Sequence, residues 1–175
     1  LARVAADFPN SFHISHIRDE SSYDVGVIGA IEEAIRITRE TSLPGIVTHM
    51  KMLGPQVWGK SKEAISVIDA ARAEGLEIWA DQYPYSASGT SLQPALVPGW
   101  AQAGGEEEMI ARLEDPEQVN EIRPEMAENL ERRAGPNAVM IRDYPPAPEY
   151  VGKRLDDIAG LREEEPLDTA IEMLK

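Results

Sequence analysis

Two short stretches carry every histidine of this chain: "FHISHIRDE" at residues 12–20 and "IVTHMK" at 46–51 hold His13, His16 and His49. His16 and His49 each close an apolar, β-rich run, at what reads as the C-terminal end of a strand. In parallel α/β architectures that end is where ligands and reacting groups collect. Neighbouring strands lie about 5 Å apart, so two histidines at matching heights can share one metal ion through imidazole nitrogen. The spacing is equally compatible with one buried, hydrogen-bonded histidine and one surface histidine. Two are also fewer than the three protein ligands usual at a catalytic zinc. His13 stands three residues before His16, which in a strand turns it to the opposite face and makes it a poor ligand candidate.

Polar residues crowd both histidines. Arg18, Asp19 and Glu20 follow His16 directly; a carboxylate there can orient an imidazole, or the trio simply opens a polar loop. Lys51 follows His49 by two and is expected to point the same way along a strand, where a lysine can hold a substrate carboxylate; a plain surface lysine has the same spacing. In "ADQYPYSASGT", Tyr83 and Tyr85 form a second same-face pair, able to donate phenolic hydrogen bonds or to pack as aromatics. Asp81 reads either as a metal ligand or as a buried carboxylate. "MLGPQVWGKS" (52–61) lacks the GxxxxGK[ST] spacing of a phosphate loop, and no G-x-S-x-G element supports serine hydrolysis.

The elements that must position these residues alternate. Residues 11–18, 43–51 and 76–85 read as strands. Residues 24–41 read as a helix with Asp24 as N-cap and Ile28, Ile31 and Ile35 on its apolar face. Residues 61–74 read as a second helix, capped by Ser61, burying Ile65, Ile68 and Ala71, with Gly75 at C′. Strand, helix, strand, helix, strand with short connections means βαβ units and a parallel sheet. Residues 86–105 are a Ser-, Gly- and Pro-rich loop of the length that often carries function. Residues 106–133 are expected to be helical with interruptions at Pro116 and Pro124. Residues 137–159 are expected to hold one short strand and a Pro-rich turn, and a last helix begins near Pro166. No internal repeat is found.

Composition bounds the partners. The 175 residues are 42% hydrophobic and 27% charged, with a formal net charge of −14 and no cysteine. That charge argues against nucleic acid or an anionic membrane as a partner. The lack of cysteine removes disulfides, thiol nucleophiles, Cys-based zinc fingers and iron–sulfur clusters. No apolar run is long enough for a transmembrane helix, and "LARVAADFPNSFHIS" does not have the pattern of a signal peptide; a cytoplasmic location is the expectation.

In this order, "SHIRDE", the long run from "AIEEAIRITRETSLPGIVTHMK" to "ADQYPYSASGTSL", "VPGWAQAGG" and "VMIRDYPPAPEYVGKRLDDIA" resemble the N-acyl-D-amino-acid deacylases, the D-aminoacylase group of the amidohydrolase superfamily. The resemblance implies α/β structure forming part of a metal-dependent (β/α)8 barrel. Residues 1–92 would form its βαβαβ part, strands five to seven; 93–160 a loop-rich helical insertion after the third strand; and 161–175 a returning barrel helix. It implies zinc (Zn2+) as cofactor, with His16 and His49 as metal ligands. Lys51 and Tyr83 would bind the carboxylate of an N-acyl-D-amino acid. Met50 stands where a second histidine occurs in some relatives, and Ser88 and Gly89 stand exchanged against the family's "YPYxAGST" pattern. The family's H-x-H pair, cysteine ligand and catalytic aspartate find no match here, and Asp81 does not correspond to that aspartate. The chain alone is therefore expected to lack catalytic residues and to be inactive, and its open strand edges are expected to drive self-association. A hydantoinase- or dihydroorotase-like relative and a non-catalytic interaction module are the competing readings.

Overall fold

The computed structural model describes residues 1–175. The chain forms two compact units, Leu1–Ser86 and Ala87–Lys175. The division falls at 86/87 where 92/93 was expected, and residues 161–175 group with the second unit.

The first unit is built on a parallel three-stranded sheet of order β1 (His13–Ser15), β2 (Gly45–Val47) and β3 (Ile78–Ala80). Its register sets His13 beside Gly45 and Gly45 beside Ile78. All three strands lie where expected, but each is only three residues long. Helix α1 (Ala2–Ala5) precedes β1, α2 (Gly26–Thr41) joins β1 to β2, and α3 (Ser61–Ala73) joins β2 to β3. Both connecting helices pack one face into a core of Ile17, Val27, Ile31, Ile35, Val47, Ala64, Ile68 and Ile78. Burying such a side chain contributes about 1.5–3 kcal/mol, which is what holds α2 and α3 against so short a sheet.

Three local expectations need correction. Asp24 does not cap α2: the N-cap is Val25 with no side-chain bond, and the Asp24 carboxylate pairs with Arg18 instead. The Gly26 N–H at the helix start is taken by the Asp19 carboxylate, at 2.9 Å. Ser61 is the first helical residue of α3 and makes no cap bond. Ile65 is half exposed, because α3 turns Ala64, Ile68 and Ala71 inward; Ile28 of α2 is likewise only partly buried. Gly75 sits at C′ as expected, with φ +91°. Its N–H bonds to Arg72 O, and the Leu76 N–H bonds to Ala71 O, the paired closure of a Schellman turn.

Gly45 is a place where only glycine fits. A Cβ there would overlap Thr38 Oγ1 of α2 and come 3.0 Å from Ile78 Cδ1. The helix thus lies directly on the strand backbone, tightening the sheet just before the residues of interest.

The second unit is helical: α4 (Leu92–Leu96), α5 (Glu106–Glu114), α6 (Pro116–Arg132), α7 (Leu155–Arg162) and α8 (Pro166–Leu174). Its core includes Leu96, Met109, Leu113, Ile122, Met126, Leu155, Ile158 and Ile171. Pro116 starts α6 at N1, behind an Asp115 side chain that accepts from the Glu117 and Gln118 N–H groups. Pro124 does not break α6. It lies on the exposed side, and the buried stripe Ile122, Met126, Leu130 carries the helix past it. The strand expected within 137–159 is reduced to one antiparallel bridge, Met140 to Arg154. No helix is long and apolar enough to cross a membrane.

Candidate metal centre

His16 follows β1 by one residue and His49 follows β2 by two, so both stand just past the C-terminal ends of adjacent strands. The sheet brings them together across 33 residues of sequence: His16 Nδ1 lies 2.8 Å from His49 Nε2. The rings meet edge-on, with centroids 4.7 Å apart and planes at 62°. His13 is not part of this cluster. Its Nδ1 is buried without a partner, and burial holds its pKa below the ordinary histidine value.

Glu20 and Lys51 complete the cluster from behind His49. Glu20 Oε1 is 2.9 Å from His49 Nδ1 and 4.0 Å from His16 Nδ1. Lys51 Nζ is 2.8 Å from His49 Nδ1 and pairs with Glu20. The Glu20 side chain is only 10% exposed and that of Lys51 16%, against 68% for His16. The charged pair thus forms a nearly buried floor and His16 the open wall. Glu20 Oε1 is placed to fix His49 as its Nδ1–H tautomer, which leaves the Nε2 lone pair facing His16. Carboxylates set this tautomer in metal-ligating histidines.

Lys51 reaches His49 by a turn rather than by strand alternation. Strand β2 ends at Val47 and His49 adopts φ +42°, a conformation that costs a non-glycine residue roughly 1–3 kcal/mol. Tyr83, partly buried after β3, presents its ring to the lysine, with Lys51 Nζ 5.8 Å from the centroid. Tyr85 stacks on Tyr83 at 6.5 Å. Lys51 and Tyr83 therefore flank one side of the cluster, and His16 and His49 form its centre.

The remaining sequence candidates divide. Arg18 turns away to Glu33 and Asp24. Asp19 is buried, and its carboxylate accepts the N–H groups of Ser21, Asp24 and Gly26 at 2.8–2.9 Å. Burial alone would raise its pKa; the backbone donors overcome this and hold it below the usual carboxylate range. Asp81 is neither a member of the histidine cluster nor buried. It accepts from the His49 backbone N–H and the Thr48 hydroxyl. Sequence reasoning weighed only ligand and core roles for it; the available signal was its place at the end of the strand beside His49.

The donors suit a zinc-like ion. One potential ligand atom each from His16, Glu20 and His49 lie within 4.8 Å of one another; with Glu20 against His49 Nδ1, the facing pair is His16 Nδ1 and His49 Nε2. Two nitrogens on a tetrahedral zinc at about 2.0–2.1 Å stand roughly 3.3 Å apart, so the imidazoles need separate by about half an ångström. The exposed His16 side chain has room for that shift.

A parallel α/β sheet with paired histidines past adjacent strand ends has the layout of a metal site. Comparison with known proteins points the same way. No family profile matches the chain. The N-acyl-D-glutamate deacylase of Alcaligenes xylosoxydans xylosoxydans is 40% identical over 94 residues, 54% of this chain and 18% of that protein. The D-aminoacylase of the same organism is 36% identical over 85 residues, 49% of this chain and 17% of that protein. In three dimensions, the Bordetella bronchiseptica N-acyl-D-glutamate deacylase, solved with zinc and a phosphonate mimic of the tetrahedral intermediate, matches 99% of this chain and 28% of its own. The TM-score is 0.66 at 31% identity. A D-aminoacylase structure described as defining a novel subset of amidohydrolases matches 91% of this chain and 25% of its own, with TM-score 0.57 at 26% identity. The resemblance to the N-acyl-D-amino-acid deacylases thus holds in sequence and in fold. The chain spans under a third of the length of the relatives it matches.

Proposed function

We propose that this chain supplies part of the active site of a zinc-dependent amidohydrolase that removes the acyl group from N-acyl-D-amino acids. The observation that carries the reading is the 2.8 Å approach of His16 Nδ1 to His49 Nε2 past neighbouring strand ends. In this reading β1, β2 and β3 are strands five to seven of a (β/α)8 barrel. His16 and His49 hold the ion, and Lys51 and Tyr83 bind the carboxylate of the substrate. Bound zinc would supply Lewis-acid polarisation of the amide carbonyl and a water of pKa near about 7.

The protein's own residues do the rest. Glu20 orients His49 through Nδ1 and keeps Lys51 beside it. An incoming carboxylate exchanges with Glu20 for the Lys51 ammonium, keeping that nearly buried charge compensated. The Tyr83 ring stabilises the ammonium from its face. The cluster contains no separate group placed to move a proton to a leaving amine, so the chain alone is expected to turn over no N-acyl-D-amino acid. The named relatives are an N-acyl-D-glutamate deacylase and a D-aminoacylase, which favours this reading over a cyclic-amide relative.

Calorimetric titration with zinc tests it. Binding in the micromolar range that disappears in both His16→Ala and His49→Ala is the expected result. A folded chain that binds no zinc, or binds it unchanged in both variants, overturns the assignment of these two residues.

Self-association belongs to the same reading. Strands β1 and β3 are both open edges. Ile14, Ile46 and Trp79 stand in register across the sheet, with Ile14 and Trp79 exposed, and unpaired edges with apolar faces recruit further strands. Sedimentation velocity should show a species larger than 19.3 kDa; a stable monomer at tens of micromolar removes this part.

A further inference from the structure

The turn that carries His49 is wrapped around Asp81, the residue that follows β3. The Asp81 N–H donates to Val47 O at 3.1 Å, and Asp81 O accepts from the Met50 N–H at 2.9 Å. Its carboxylate accepts the His49 N–H at 2.6 Å and the Thr48 hydroxyl at 3.1–3.2 Å. Four successive residues, Val47 to Met50, are thus tied to Asp81 by main chain and side chain together. The one non-glycine residue in this turn with a left-handed backbone is His49, at φ +42°.

We infer that Asp81 is a positioning residue for metal binding: its carboxylate holds His49 in the left-handed turn that aims Nε2 at His16. The backbone cost at His49 needs a fixed compensating partner. The 2.6 Å charge-assisted bond to the same residue's N–H supplies it, such bonds being about twice as strong as neutral ones. Without the carboxylate, Thr48 and His49 lose their side-chain tether and His49 is free to relax to negative φ, which swings the ring away from β1. Glu20 then holds only one end of the imidazole. The division of labour is specific: Glu20 sets the ring through Nδ1, and Asp81 sets the backbone from which the ring projects. The inference rests on the reading of His16 and His49 as a metal pair.

The test compares wild type, Asp81→Ala and Asp81→Asn, in the metal-free and the Co2+- and Zn2+-titrated chain. Asp81→Ala is expected to weaken Co2+ and Zn2+ binding by roughly 10- to 100-fold, the usual effect of losing a residue behind a ligand. It should also change the Co2+ visible spectrum. Asp81→Asn, which keeps an acceptor oxygen for the His49 N–H, should recover most of the affinity. A role in stability alone would lower the melting temperature of both variants while leaving the affinity of the folded protein and its Co2+ spectrum as in wild type; that result overturns the inference. A wild-type chain that binds neither metal overturns the metal reading instead. The positioning claim is then decided by imidazole 15N spectra and His49 amide exchange in metal-free protein. The His16–His49 contact and His49 protection should be lost in Asp81→Ala, and their persistence refutes the claim.

Discussion

Glu20 and Lys51 form an ion pair in the floor of the site, with Glu20 Oε1 also 2.9 Å from His49 Nδ1. The Lys51 ammonium and the His49 imidazole therefore share one carboxylate oxygen in a nearly buried position. Removing the carboxylate strands the ammonium, and hydrogen bonds to charged groups contribute about 1.5–3 kcal/mol each. Glu20→Gln is expected to lower unfolding stability by about 2 kcal/mol in urea melts, and Glu20→Gln/Lys51→Met to regain part of it because no unpaired charge remains. A Glu20→Gln protein as stable as wild type would show that the pair is solvated.

The contact of α2 with β2 gives a prediction of opposite logic. Gly45→Ala places a methyl against Thr38 Oγ1, and overpacking of this kind costs typically 1–3 kcal/mol. Thr38→Ala removes that oxygen, which is buried without a partner, and should be close to neutral alone. The double variant Gly45→Ala/Thr38→Ala is expected to be more stable than Gly45→Ala. Strict additivity in thermal unfolding would mean that the strain lies elsewhere, at Ile78.

Asp19 should impose an acid limit on the first unit. Its folded-state pKa lies below the ordinary value because backbone donors outweigh burial, so the folded state binds fewer protons than the unfolded chain in acid. The stabilisation is fully present above the unfolded value of about 3.9 and is lost as pH falls through the lower folded value. Asp19→Asn keeps one acceptor but turns an amide toward backbone N–H groups. It is expected to lower the urea midpoint at pH 7 and to flatten its fall below pH 5. A variant whose midpoint tracks wild type from pH 7 to pH 3 would remove Asp19 from the acid response.

Much of the frame was legible in the residues. The alternation of helical and extended periods located all three strands and the two connecting helices. Gly75 announced its Schellman turn, and His16 and His49 were readable as strand-end neighbours. These are local signals, set by side-chain period and backbone preference within a few residues. The failures arise where a partner outside the helix, the exact helix start or burial in a core overrides a residue's local preference. Asp24 and Ser61 are good cap types, yet Arg18 claims the first and α3 starts on the second. Pro124 is a helix breaker, yet the buried stripe of Ile122, Met126 and Leu130 carries α6 through it.

By itself the sequence determined the parallel α/β order of the first unit, the two histidines as candidate ligands, and the lysine and tyrosine as candidate partners. Only the tertiary structure decided how these meet. Lys51 joins His49 because the chain leaves β2 in a left-handed turn, not because a strand alternates. Asp81 matters because register sets it beside that turn, and Glu20 because the loop after β1 folds its carboxylate under both. Periodicity is written in neighbouring residues. Convergence of side chains 31 to 33 positions apart depends on register, on turn geometry and on which buried charges find partners, and no local pattern encodes these.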